Sequence, residues 1–224
     1  MSEIKRQRAR ELAEEAMAAG DPVGWFEELY REEKNRVAVV PWADRRPNPH
    51  LVSWPERNSV AGPSLVVGCG LGDDAKWVAA NGLGPVVAFD VSTTAIEEAE
   101  RRFGGIATFV AADLFSMPAA WHEAFGFVVE AYTLQVLPEP LRPDAMAAIA
   151  RTVRQDGMLL VIARGRGEDD PVGAMPWPLA RSEFDVFDAA GLRCVSFEDF
   201  ADPEEPGVRR FRASFQRTGG ASGS

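Results

Sequence analysis

At 224 residues, 46% of them hydrophobic, the chain is long enough for one domain with a substantial core, and disorder is not its default state. A formal net charge of −10 repels phosphate backbones and anionic lipid surfaces, which argues against nucleic-acid and membrane partners. Two cysteines, Cys69 and Cys194, with no CxxC pair, disfavour a disulfide scaffold or a zinc cluster, so no metal site is predicted and a reducing cytosol is the expected setting.

No apolar run approaches the ~20 residues of a membrane span. Glu11, Glu14 and Glu15 stand where a secretory leader would be apolar. A helix is predicted over 2–19, ended by Gly20. Asp21-Pro22 then reads as cap and first-turn proline of a second helix through about Asn35. Pro41 to Pro63 is rich in proline and holds Trp42, His50 and Trp54, which predicts loop with a short helix.

From Ser64 the pattern becomes regular. Strands are predicted at Ser64–Val67, Pro85–Asp90, Ala107–Ala111, Phe125–Tyr132 and Met158–Arg164. Helices are predicted between them at Asp73–Asn81, from the Ser92 cap to Phe103, and at Pro140–Arg154. A further helix, capped near Ser182, ends at Gly191, and Arg193–Phe200 and Val208–Arg217 read as a closing pair of strands. The segment 218–224 reads as a flexible tail. Such alternation predicts an α/β fold: a mostly parallel sheet with helices on both faces, its ligand beyond the carboxyl ends of the strands.

The strand ends carry the chemistry. After the first strand stand Gly68, Cys69, Gly70 and Gly72; glycines let the chain turn sharply and let a ligand approach the backbone. Asp90, with Val91 beside it, ends the second strand, where a carboxylate can accept from both hydroxyls of a ribose. After the third strand, Asp113 can accept from an adenine amine, and Leu114 and Phe115 can cover the ring. Capping and packing account for these three equally well. The loop also reads as GxGxxA through Gly70, Gly72 and Ala75, a dinucleotide signature. Against that, Asp73 and Asp74 stand at the helix start where a pyrophosphate would sit, each contact costing roughly 1–4 kcal/mol at ~4 Å. S-adenosyl-L-methionine (SAM) has a sulfonium cation and no phosphate, so it tolerates them.

With these residues in place the chain resembles class I SAM-dependent methyltransferases over roughly residues 60–217. The block Val67–Ala75 and the front segment with Trp25-Phe26, Tyr30, Pro41-Trp42 and Pro49 look most like bacterial relatives of the thiopurine methyltransferases. The resemblance implies a Rossmann-like core, a seven-stranded sheet whose last strand is antiparallel, and a helical N-terminal lid over 1–58. It departs in Val66, where many relatives carry an acidic residue; backbone carbonyls near Gly68 or another carboxylate must then hold the SAM amino group.

Glu130 ends the fourth strand, which in this family lies beside the methyl group. It is the expected catalytic base, with holding the SAM amino group as its other reading. Trp25, Tyr30, Trp42, Tyr132, Gln135, Arg164 and Trp177 are the expected acceptor-binding residues, and Arg166, Arg209, Arg210 and Arg212 read either as further contacts to acceptor oxygens or as solvated surface charge. Aromatic faces beside a carboxylate suit a sugar ring, so O-methylation of a small hydroxylated acceptor is the leading expectation. The Arg/Ala-rich composition fits a high-GC bacterium, and the chain as a whole also resembles actinobacterial sugar O-methyltransferases. S-methylation of a small thiol, an NAD-dependent oxidoreductase and a non-catalytic SAM-binding protein are the alternatives; monomer and dimer both stay open.

Overall fold

The computed structural model describes residues 3–37, 39–55 and 59–218. In chain order these form α1 (Glu3–Ala18), α2 (Trp25–Lys34), α3 (Pro49–Val52), β1 (Ser64–Val67), α4 (Asp73–Ala80), β2 (Val86–Asp90), α5 (Thr93–Phe103) and β3 (Thr108–Ala111). There follow β4 (Phe125–Ala131), α6 (Arg142–Thr152), β5 (Val153–Arg164), α7 (Asp185–Ala189), β6 (Leu192–Ala201) and β7 (Arg209–Arg217). The strands make one seven-stranded sheet in the order β3-β2-β1-β4-β5-β7-β6, with β7 antiparallel to both of its neighbours. Strand order reverses between β1 and β4, so the carboxyl ends of β1, β2 and β4 open onto one crevice, the switch point of a Rossmann-like methyltransferase fold.

Both faces of the sheet are covered, as continuous apolar strands require. Leu65, Val128, Leu159 and Val161 pack under α6 and α7 on one side; Val66, Val129, Leu160 and Ile162 pack under α3 and α4 on the other. Trp54 belongs to the second layer, stacked 5.0 Å from Phe127 with its indole N–H donating to Ser214 Oγ. A third cluster joins α1 and α2 to the core through Leu29, Tyr30, Leu71, Ala95 and Val136. Among the described residues no helix is long and apolar enough to cross a membrane.

Several predicted boundaries move. The Asp21 carboxylate accepts from Gly24 N at 2.9 Å, so Asp21–Gly24 closes a turn and α2 begins at Trp25 rather than at the proline. Tyr132 has φ 73°, outside strand geometry, and ends β4 one residue early. Val153, β-branched and buried, leaves α6 to pair with Phe125, so β5 starts five residues before Met158. Ser182 caps no helix: its hydroxyl donates to Glu168, and Ala180 N donates to Glu183 instead. The predicted tail lies, beyond residue 218, outside the described residues.

Candidate active site at the carboxyl ends of the strands

The glycine loop is built around close contacts. Gly68 has φ 56°, and a Cβ there would stand 2.2 Å from Thr133 Oγ1. Gly70 has φ 50°, and a Cβ would meet the Tyr30 hydroxyl at 2.6 Å. Both demand glycine for conformation and for room. Asp90 ties this loop to β2: Oδ2 accepts from Gly70 N and Oδ1 from Ser92 N, each at 2.9 Å. Burial pushes its carboxyl up to about 6 against those bonds. Cys69, buried in the loop, has its thiol pushed well up by burial and by Asp90, so it serves as packing rather than as a nucleophile.

Asp73 is held away from a purely cofactor-facing role. Its carboxylate pairs with both terminal nitrogens of Arg102, at 2.7 and 2.8 Å, and Arg102 also donates to Leu71 O. The ion pair fastens the loop to α5 and leaves Asp73 on a cavity wall.

A cavity of about 70 Å³ lies beside Asp90, with Val91, Asp113, Leu114 and Phe115 on the sheet side and Phe26 above. Val91 and Phe115 are large apolar side chains left exposed there. The Asp113 carboxylate accepts from Phe115 N at 2.9 Å, so it caps this turn and lines the cavity at once.

The N-terminal segment is bonded to the cofactor side of the core. Glu27 on α2 accepts from Ser92 Oγ and Thr94 Oγ1, both at 2.7 Å, and from Thr94 N at 3.1 Å. Burial works to raise its carboxyl, and these bonds outweigh it and hold it below the usual range. Glu27 thereby satisfies the amino end of α5 from another element. Replacing Glu27 with alanine strands those donors. A melting temperature lower by roughly 3–8 °C is expected, with weaker binding of S-adenosylhomocysteine; an unchanged melt overturns the latch.

A second, polar cavity of about 310 Å³ adjoins the first and shares with it Tyr30, Trp42, Gly68, Ala131 and Tyr132. Trp42 donates its indole N–H to the Tyr30 hydroxyl at 3.2 Å, closing the roof. Asn48, His50, Asp74, Asp202 and Arg210 stand around the far side. Asp74 accepts from Asn48 N at 2.6 Å, and burial pushes its carboxyl up to about 6. His50 Nε2 lies 3.3 Å from Asp202 Oδ2; burial first, then Arg210, lowers its pKa and keeps the ring neutral. The Arg210 guanidinium bonds Asp202 and sits 4.7 Å from the centre of the Tyr132 ring.

The structure brings together Gly68, Gly70, Asp90, Val91, Asp113, Leu114, Phe115, Tyr30, Trp42 and Tyr132, all predicted from sequence. Other predicted residues go elsewhere. Trp25 is buried, bonded to Pro22 O and stacked on Phe26, and it is Phe26 that reaches the cavity. Gln135 uses its side-chain oxygen to accept from Arg164 N, and Arg164 pairs with Glu205 at 2.9 Å. Trp177 packs against the third cluster, its backbone N–H on Gln135 O. Asn48 with His50, Asp74 and Asp202 come from three separate stretches of chain, so no local spacing announced them as a group.

Glu130 does not reach the acceptor cavity, because β4 alternation turns its side chain toward the α6 face while Ala131 faces the cavities. Its Oε1 accepts from Thr133 N at 2.6 Å and Leu134 N at 3.0 Å, closing the turn after β4, and Oε2 is buried without a partner among the described residues. Burial pushes this carboxyl up to about 7. The folded protein thus holds protons on Glu130, Asp74 and Asp90 at pH values where the unfolded chain has released them, between about 4 and 7. Stability from this source falls as pH rises through that window. Calorimetry is expected to show a melting temperature a few degrees higher at pH 5.5 than at 7.5, with a shallower slope in Glu130→Gln. A profile that rises with pH refutes the assignment.

The cradle suits SAM. Three left-handed glycines expose the loop backbone, a ribose-height carboxylate and an apolar slot follow, and at the start of α4 Asp74, its carboxylate not offset by Arg102 as that of Asp73 is, stands where a pyrophosphate would be repelled. Asp90, Val91, Leu114 and Phe115 would hold the adenosine, and the Gly68–Gly70 backbone the amino-acid end.

Residues 65–157 match the family described as a methyltransferase domain. No curated protein matches the chain. Among solved structures it is similar to a protein from work on the conversion of a disulfide bond into a thioacetal group during echinomycin biosynthesis, at 22% identity and TM-score 0.71, over 88% of this chain and 92% of that one. It is also similar to the Burkholderia thailandensis 1,6-didemethyltoxoflavin-N1-methyltransferase, at 16% identity and TM-score 0.67, over 87% and 86% of the two chains. The N-methyltransferase NodS from Bradyrhizobium japonicum, solved with S-adenosylhomocysteine, gives 16% identity and TM-score 0.63, over 94% and 99%. At these identities the structural likeness speaks for the fold, and the matched domain speaks for the chemistry. Joined to a loop that admits SAM and disfavours a dinucleotide, that domain makes the chain a SAM-dependent methyltransferase.

Proposed function

We propose that this methyltransferase acts on a hydroxyl of a small polar acceptor. The observation that carries the reading is the pair of adjoining cavities: an apolar one beside Asp90 and a polar one of about 310 Å³, with Gly68, Ala131 and Tyr132 as common floor. The polar cavity is of small-ligand size. When bound, SAM supplies a methyl group already activated by its sulfonium. The protein then has to align the acceptor and accept its proton. Asp74, pushed up to about 6, and the neutral His50 are the groups facing the cavity that can take a proton near neutral pH. Glu130 takes the part of a positioning residue behind Thr133.

Residues 1–58 act as the cover, with Phe26, Tyr30 and Trp42 supplying the roof. Deleting residues 1–40 is expected to abolish turnover; full activity in the truncated protein overturns this role.

The test is release of S-adenosylhomocysteine with panels of sugars, hydroxy acids, phenols, thiols and amines. Turnover of hydroxylated acceptors supports the reading. Turnover confined to thiols moves it to the thiopurine-methyltransferase-like reading; turnover confined to amines moves it to the N-methylation named for two of the similar structures.

A further inference from the structure

Arg210 stands out in the polar cavity. It begins on an interior strand of the sheet, its side chain is 3% exposed, and its Nε and Nη2 both donate to Asp202 Oδ2. Its Nη1 is buried with no hydrogen-bond partner among the described residues. A buried N–H of a charged group left without an acceptor is costly, more so than that of a neutral group. Such a group persists in a cavity wall where a ligand completes its bonding.

The surrounding charge points the same way. Arg210, Arg164 and Arg6 share two carboxylates: Asp202 bonds Arg210, and Glu205 pairs with Arg6, with Arg164 at 2.9 Å and with Arg210 at 3.6 Å. His50, the next titratable group, has its pKa lowered and adds no balancing negative charge. Among the described residues these three guanidinium groups are paired with two carboxylates, one negative charge fewer. Burial lowers the Arg164 pKa to about 10, with Arg6 and Arg210 adding to the strain, as expected where cations outnumber anions. Elsewhere on the cavity wall Asp73 pairs with Arg102 and Glu204 with Arg46, while Asp74 accepts from Asn48 N. The guanidinium also lies against Tyr132, part of the floor common to both cavities, so a group bound there is next to the cofactor side.

We propose that Arg210 receives a carboxylate of the acceptor, so that the substrate class is a small hydroxylated carboxylic acid, sugar acids included. This deepens the reading of the same cavity given above. The carboxylate would fill the Nη1 position and supply the missing charge, in the forked geometry that guanidinium and carboxylate share. The hydroxyl to be methylated would then lie on the Tyr132 side.

The experiment compares acids with their uncharged amides of nearly equal shape: glucuronate with glucuronamide, salicylate with salicylamide, lactate with lactamide. Binding to the complex with S-adenosylhomocysteine is measured by calorimetry, apart from turnover. At least one acid is expected to bind roughly tenfold or more tightly than its amide, since charge-assisted bonds contribute ~1.5–3 kcal/mol and each 1.4 kcal/mol is tenfold. In Arg210→Gln the preference for the acid over its amide should disappear, the two members of that pair binding alike. Should the variant fail to fold, the wild-type comparison decides alone. Equal binding of acid and amide in every pair, or a preference unchanged in Arg210→Gln, overturns the proposal. A preference for acids with the methyl group found on the carboxylate keeps it and overturns the hydroxyl reading instead.

Discussion

Asp90→Ala is expected to weaken binding of S-adenosylhomocysteine by roughly 10- to 100-fold, the equivalent of ~1.5–3 kcal/mol for hydrogen bonds to a charged group. Two effects add. The carboxylate faces the apolar cavity, where it can accept from ribose hydroxyls. It also accepts from Gly70 N and Ser92 N, so its loss frees the glycine loop from the end of β2. Asp90→Asn separates them, because the amide oxygen retains one backbone bond while the charge is gone. Calorimetry that finds wild-type affinity in Asp90→Ala removes this residue from the binding site.

Gly68→Ala should be at least as damaging. The left-handed backbone at φ 56° costs an alanine roughly 1–2 kcal/mol, and its Cβ would stand 2.2 Å from Thr133 Oγ1. Relief requires the loop to move away from Thr133, which widens the floor on which both cavities meet. A loss of affinity for S-adenosylhomocysteine beyond tenfold is expected, with a melt lowered by several degrees. Adding Thr133→Ala removes the clashing oxygen and should restore part of the affinity while the conformational cost remains. A double variant no better than Gly68→Ala shows that backbone strain alone accounts for the loss.

The adenosine half of the site is legible in the amino-acid sequence because its parts lie at consecutive strand ends. A parallel sheet delivers the ends of β1, β2 and β3 to one edge, so the glycine loop, Asp90 and Asp113 are near each other by topology alone. Tyr132 follows from the same rule applied to β4. The rule places a strand end and leaves open which face a side chain takes. Glu130 and Ala131 are neighbours in sequence, yet pleating sends one to the α6 side and the other to the cavities, and a positive φ at Tyr132 then redirects the chain. The same limit applies to aromatic residues: Trp25 and Phe26 are adjacent on α2, and the helical rotation between them puts Phe26 at the cavity.

The amino-acid sequence by itself determined the alternation of strands and helices, the α/β class with its mostly parallel sheet, and the glycine loop and strand-end carboxylates of the candidate SAM cradle. These depend on apolar periodicity, glycine placement and strand-end carboxylates, all of which are local. Only the tertiary structure decided the acceptor side. Asn48, His50, Asp74, Asp202 and Arg210 belong to the front segment, α4, the β6–β7 connection and β7, and they meet because α3 packs over the same edge to which the β6–β7 pair folds back. The partner of a buried charge is likewise a three-dimensional fact: Arg210 meets Asp202, and among the described residues leaves Nη1 without a partner, only once that packing is complete.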